Sequence, residues 1–247
     1  MIVSTESIVL HSRKYSDTSK ILTFFTKDEG KLNLLAKGAR NSKNKFGSAL
    51  SPLSYTQVDF YKKSQRDLHI VSKAELIQSW NKIINSYEHL TVAMMISESL
   101  YQTLQDNEKN EELFAFVIDT FQIMNNSEGN IFSFYIYFEL ALIKFLGFEI
   151  DFEPDFKDYI QNKSELIFSL DSGTLTKEKR TNLKNFYIFD FETYDKLKNL
   201  SEVNPESVSV ISVESKFRTR IQNFFSYYFS YHLERKFYNR TFNMLKA

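Results

Sequence analysis

Four histidines, His11, His69, His89 and His232, stand far apart in the 247-residue chain. None falls in the HExxH spacing that puts two imidazoles and a general base on one helical face. There is no cysteine, so neither disulfides nor thiolate metal sites can form, and no cofactor or metal is expected. The six glycines (Gly30, Gly38, Gly47, Gly129, Gly147 and Gly173) never fall into GxGxxG or GxxxxGK[ST], the spacings that let a backbone cradle phosphates. Carboxylate pairs such as Glu111 with Glu112, or Asp151 with Glu153, lie in acidic surroundings and read as solvated surface charge. Bond-breaking chemistry is therefore not expected.

What remains is electrostatic. From Lys31 to Val58 the chain carries Lys31, Lys37, Arg40, Lys43 and Lys45 and no acid. Four of these fall in AKGARNSKNKFG, where Gly38 and Gly47 permit a close backbone approach to a partner. Clustered Lys and Arg are what neutralises the phosphates of a nucleic acid; composition leaves open the other reading, a solvated basic loop. A second basic cluster, Arg218, Arg220, Arg235, Lys236 and Arg240, is interleaved with Phe and Tyr. Aromatic platforms among cations suit single strands, yet Phe217, Ile221, Phe224, Tyr228 and Tyr231 recur at helical spacing, the mark of a core stripe. His232 beside that stripe reads as a packed or capping residue.

The formal net charge is zero, but it is unevenly spread. Residues 1–80 hold 13 basic against 7 acidic side chains, residues 81–214 hold 11 against 23, and residues 215–247 hold 7 against 1. Two basic ends around an acidic middle suggest a polyanionic partner. MIVSTESIVLHSRKY lacks the basic start and apolar core of a signal peptide. The most apolar stretch, Ile131 to Phe148, is interrupted by Glu139 and Lys144 and reads as a buried helix, not a membrane span. A cytoplasmic protein without membrane association is expected.

The elements that must position these cations change character near Trp80. Before it, short period-two runs predict about five strands: Ser4–Arg13, Ser19–Thr26, Lys31–Lys37, Tyr55–Tyr61 and Leu68–Lys73, with a hairpin signal at Asp28-Glu29-Gly30. Five strands with one long connection between the third and fourth suit an OB-fold barrel; periodicity alone fits an SH3-like barrel nearly as well. After it, Ile83, Tyr87, Leu90, Met94, Tyr101 and Leu104 mark one helical face, with Ser97 at the missing position. Leu113 to Met124 mark a second helix and Ile131 to Phe145 a third, with Gly147 as its C′ residue. Residues 151–214 read as acidic and irregular, with strand-like pieces such as Glu165–Leu170, and a last helix is expected from Ser215 through at least Arg235.

The stretch SIVLHSRKYSDTSKILTFFTKDEGKLNLLAKGARNSKNKFGSALSPL resembles the N-terminus of the RecO family of bacterial recombination mediators. The resemblance rests on Ile8–Leu10, Tyr15 with Asp17-Thr18, Phe25-Thr26, Gly30 and the AKGAR of Ala36–Arg40. It continues through LSPLSYTQVDFYKKSQRDLHIVSKAEL, Leu146-Gly147-Phe148 and YHLERKFYNRTFNML. It implies an α+β multidomain chain: an OB-fold domain over 1–80, a mainly α-helical domain from 81–148 and 215–247, and a small irregular insert over 149–214. Many members carry a four-cysteine zinc site in that insert; this chain has Glu149 to Lys157 there and no Cys, so zinc is not carried over. The resemblance further implies a non-enzymatic mediator of DNA repair that binds single- and double-stranded DNA and anneals complementary strands. It would help load the RecA recombinase onto strands coated with single-strand-binding protein, with RecR and the single-strand-binding protein as partners. The rival readings are a scaffold whose barrel binds protein, and an OB-fold RNA binder.

Overall fold

In the computed structural model the described residues are 1–41, 43–62, 67–152, 165–177 and 180–246. Five strands close into a barrel: β1 (Ile2–Lys14), β2 (Lys20–Thr26), β3 (Gly30–Ala36), β4 (Tyr55–Tyr61) and β5 (Leu68–Gln78). Their order around the barrel is β1-β2-β3-β5-β4, with β3 and β5 parallel and the other pairs antiparallel. This is the OB-fold anticipated from the strand count. β5 runs five residues past its expected end.

Alternation decides what the barrel buries. Val9, Leu22, Phe24, Leu32, Leu34, Val58, Phe60 and Val71 fill the interior. The opposite face of β2, Ile21, Thr23 and Phe25, is buried as well, because α1 (Asn81–Asn85), α2 (Tyr87–Thr103) and α3 (Glu111–Asn126) belong to the same compact unit, Met1–Asn126 with Asn243–Leu245. Phe25 meets Phe114 of α3 edge-on at 5.5 Å. At the β1 bulge between Val9 and His11, Leu10 drops out of the β1–β2 ladder, and Ser97 of α2 donates to its carbonyl at 3.0 Å. The serine that interrupts the apolar period thus satisfies a backbone group that would otherwise be buried unmet.

The helical face expected over Ile83–Leu104 is displaced. The chain breaks at Ser86, whose extended backbone (φ −112°, ψ 125°) separates α1 from α2. Tyr87 and Tyr101 are exposed, while His89, Val92, Ala93, Ile96, Ser97 and Leu100 are buried. A helix wedged against a barrel and two other helices buries more than one stripe, with small polar residues inside, so the large apolar side chains mark the wrong one. Leu113, Val117, Phe121 and Met124 of α3 are buried as expected.

The second unit comprises Ser127–Phe242. α4 (Phe132–Phe145) is buried nearly all round. It ends in a Schellman motif: Gly147 has φ +83°, its N–H bonds Lys144 O, and the Phe148 N–H bonds Ile143 O. The acidic stretch is more regular than expected. Leu166–Ser169 (β6), Thr174–Leu175 (β7) and Phe186–Phe189 (β8) form an antiparallel sheet of order β7-β6-β8, followed by α5 (Phe191–Glu202). Residues 153–164 and 178–179, Glu153, Pro154 and Lys157 among them, lie outside the described residues. α6 (Ser215–His232) stops three residues short of Arg235. Glu234 turns left-handed (φ +51°), and the Phe237 N–H reaches back to Ser230 Oγ at 2.9 Å. Among the described residues no helix is long and apolar enough to cross a membrane.

Candidate nucleic-acid interface

The basic connection between β3 and β4 is pinned to the barrel by its apolar residues. Ala39, Phe46, Ala49 and Leu50 belong to the barrel core, whereas Lys37, Arg40, Lys43 and Lys45 are exposed between and beside them. Burying the pins fixes the backbone and leaves the cations outside. Gly38 (φ +74°) makes the turn that follows Lys37, and its carbonyl accepts the Asn41 N–H. Lys45 Nζ donates to Ser72 O at 2.8 Å and stands over the Phe46 ring. Neither Lys37 nor Lys43 forms an ion pair among the described residues.

Strand register brings further cations to the same end, and spacing along the chain gave no sign of them. Arg13 and Lys14 end β1, Lys20 opens β2, and the pairings are Lys14 to Lys20 and Lys20 to Ala36, the residue before Lys37. The β1–β2 turn is tied to the basic connection twice: the Arg40 N–H donates to Thr18 O at 2.9 Å, and its guanidinium to Ser16 O. Like charges directly opposite on neighbouring strands are destabilising. Lys14 and Lys20 accept that cost where the sequence from Ser7 to Thr26 supplies a single acid, Asp17. At the far end of the barrel, among the described residues, Lys27 pairs with Glu6 (3.4 Å) and Lys62 with Glu29 (2.5 Å).

Lys31 belongs to that second environment. Its ammonium donates to the carbonyls of Tyr101 and Leu104, pairs with Asp106 at 3.1 Å and lies over the Tyr101 ring, with its side chain only 12% exposed. It fastens β3 to the α2–α3 connection. On the β2–β3 face, which OB-folds commonly offer to oligonucleotides, Ile21, Thr23 and Phe25 of β2 are buried, Phe25 against Phe114 of α3, while Asn33 and Leu35 of β3 are half-buried.

The second basic cluster is not brought together. Arg218 packs over the Phe132 ring at 5.1 Å, and Arg220 pairs with Asp190 at 2.9 Å near the start of α6. Arg235, Lys236 and Arg240 follow the other end of that helix, roughly 20 Å away at 1.5 Å per residue. Burial raises the affinity of the Asp190 carboxyl for its proton, but hydrogen bonds from Thr193 and the Arg220 charge outweigh it and hold the pKa below the ordinary carboxylate range. Most of the aromatic stripe is core: Phe217, Ile221, Phe224 and Tyr228 are buried, whereas Tyr231 is half-buried with its hydroxyl donating to Asp171. His232 stacks on Phe148 at 4.6 Å, and burial keeps its pKa below the usual imidazole value. Among the described residues no three His, Asp or Glu side chains gather as a metal site.

Comparison with known proteins agrees with this geometry. The family model described as Recombination protein O N terminal matches residues 1–80, and that described as Recombination protein O C terminal matches residues 84–241. The chain is 36% identical over 146 residues to the DNA repair protein RecO of Salinibacter ruber, covering 59% of this chain and 56% of that one. It is 36% identical over 153 residues to the DNA repair protein RecO of Chloroherpeton thalassium, covering 62% and 59%. These two matches span less than two thirds of the relatives' own length. A third, to the DNA repair protein RecO of Caldanaerobacter subterraneus, runs over 244 residues at 27% identity and covers 98% and 97%. With one model matched along the barrel and the other along nearly all that follows, the chain belongs to the RecO family of DNA repair proteins.

Proposed function

We propose that the chain is a non-enzymatic recombination mediator that binds and anneals single DNA strands through the basic rim. It would help load RecA on strands coated with single-strand-binding protein, with RecR as a further partner. Family membership supports the repair role. The observation that carries the binding mode is the rim itself: Arg13, Lys14 and Lys20, with Lys37, Arg40, Lys43 and Lys45 of the adjoining connection, lie where strand register sets Lys14 against Lys20, and the segments that carry them, Ser7–Thr26 and Lys31–Val58, hold one acid, Asp17. A polyanion relieves that repulsion and releases its own counterions on binding. On this reading residues 1–80 are the DNA-binding domain, and Lys31 holds the barrel to its helices without touching phosphate. Residues 81–148 with 215–247 supply the helical part of the chain, divided between the two compact units at Asn126, and residues 149–214 are an insert that needs no zinc. The separated arginines of the second cluster contribute less. Titration of single-stranded DNA over a range of salt tests the proposal. Log affinity should fall steeply and linearly with log salt, by about 0.7 per phosphate neutralised. Salt-insensitive binding would favour a protein-binding scaffold, and preference for RNA over DNA of the same sequence would favour an RNA binder, since only RNA offers the 2′-hydroxyl.

A further inference from the structure

Tyr15 stands at the tip of the basic rim with its side chain in solvent. It is 57% exposed, and among the described residues it makes neither a side-chain hydrogen bond nor a ring contact. Three other exposed tyrosines are occupied: the Tyr87 hydroxyl donates to Met244 O, Tyr101 packs against His11 and under Lys31, and Tyr227 lies beside Tyr187. Tyr61, 47% exposed, ends β4 opposite Ile2, at the barrel end away from the rim. Nor is Tyr15 on a loose tether. Its N–H donates to Ser19 O at 3.1 Å, closing the β1–β2 turn, and Arg40 bonds the carbonyls of Ser16 and Thr18 in the same turn. Arg13 and Lys14 precede it, Lys20 follows the turn, and Lys37 and Arg40 adjoin it.

We infer that Tyr15 is a stacking platform for one unpaired nucleobase, and that it biases the rim toward single strands. The inference rests on the rim binding DNA as proposed above. Phosphates held by the flanking cations place a base within reach of the ring, and base–aromatic stacking is indifferent to base identity. A base inside a duplex has both faces covered by its neighbours and must leave the stack before it can be met this way. The cations would hold either strand form, whereas the ring rewards only the single one.

The test compares the full-length wild type with Tyr15→Ala and Tyr15→Phe on three probes over one series of salt concentrations: oligothymidylate, a matched oligomer abasic throughout, and a duplex. Tyr15→Ala should weaken oligothymidylate binding roughly tenfold and leave the abasic oligomer and the duplex unchanged, with the salt slope unmoved. Tyr15→Phe should bind as wild type does, because the ring and not the hydroxyl stacks. In Tyr15→Trp, with Trp80 fully buried as a constant background, oligothymidylate should quench the new fluorescence and the abasic oligomer should not. A loss by Tyr15→Ala that is equal on oligothymidylate and abasic probes, or no loss on either, overturns the inference while the rim reading stands. Failure of the wild type to bind any probe overturns both.

Discussion

Lys31 and Lys37 are six residues apart in one acid-free run, yet they have different fates. Lys31 points outward from β3 into the carbonyl ends of α2 and its connection, while Lys37 lies past the strand end, in the turn that Gly38 shapes. Spacing could mark both as cations but could not say which would meet a helix end, because that contact spans about seventy positions of chain. Arg13, Lys14 and Lys20 were missed for the same reason: they join the cluster only through antiparallel register. Replacing Lys37, Arg40, Lys43 and Lys45 together by Ala should flatten the single-strand salt slope by up to roughly 3 units. The loss should be nearly uniform across sequences, since phosphate contacts position a strand without reading it. Lys31→Ala should do the reverse, keeping the slope while lowering the thermal midpoint, as it removes a part-buried charged hydrogen bond to the Leu104 carbonyl, a contact of a kind worth about 1.5–3 kcal/mol. An unchanged slope in the folded quadruple variant would show the connection to be merely solvated.

At the scale of elements, the five strands were legible because alternation is local and the glycine turns punctuate it; Tyr55–Tyr61 begins and ends where its pattern does. The α4 end at Gly147 was legible too, from one residue that needs positive φ. α5 was not, although its start carries a signal: Asp190 accepts the Thr193 N–H at 2.9 Å as an N-cap. The surrounding acids and the short runs before it hid the cap. The end of α6 was overestimated because nothing in LERK breaks a helix, and the stop comes from Ser230 binding the Phe237 N–H. Gly30 shows how tightly two elements meet. A Cβ there would lie 2.3 Å from the Glu108 carbonyl oxygen, at φ +69°. Gly30→Ala should therefore cost at least about 2 kcal/mol, from left-handed strain and overpacking together, read as a fall in the denaturation midpoint. A neutral effect would mean that the hairpin and the α2–α3 connection are not in close contact.

For the whole molecule, a formal net charge of zero conceals a segregation that the fold completes. Basic side chains at the β1–β2 turn and the β3–β4 connection collect at one barrel end, while among the described residues Lys27, Lys31 and Lys62 away from it pair with Glu6, Asp106 and Glu29. On the proposed reading a strand approaching the barrel is drawn to one rim, and long-range steering of this kind weakens as salt rises. Annealing asks more of the molecule than binding does, since two complementary strands must be held and aligned while a competing coat is displaced. The most direct measurement is therefore the annealing rate of complementary DNA strands already coated with single-strand-binding protein, with and without the chain. The account predicts that the wild type accelerates annealing well above the coated strands alone, and that the Lys37, Arg40, Lys43 and Lys45 alanine variant loses most of that gain. A wild-type chain that binds the strands tightly yet leaves their annealing rate unchanged would contradict it.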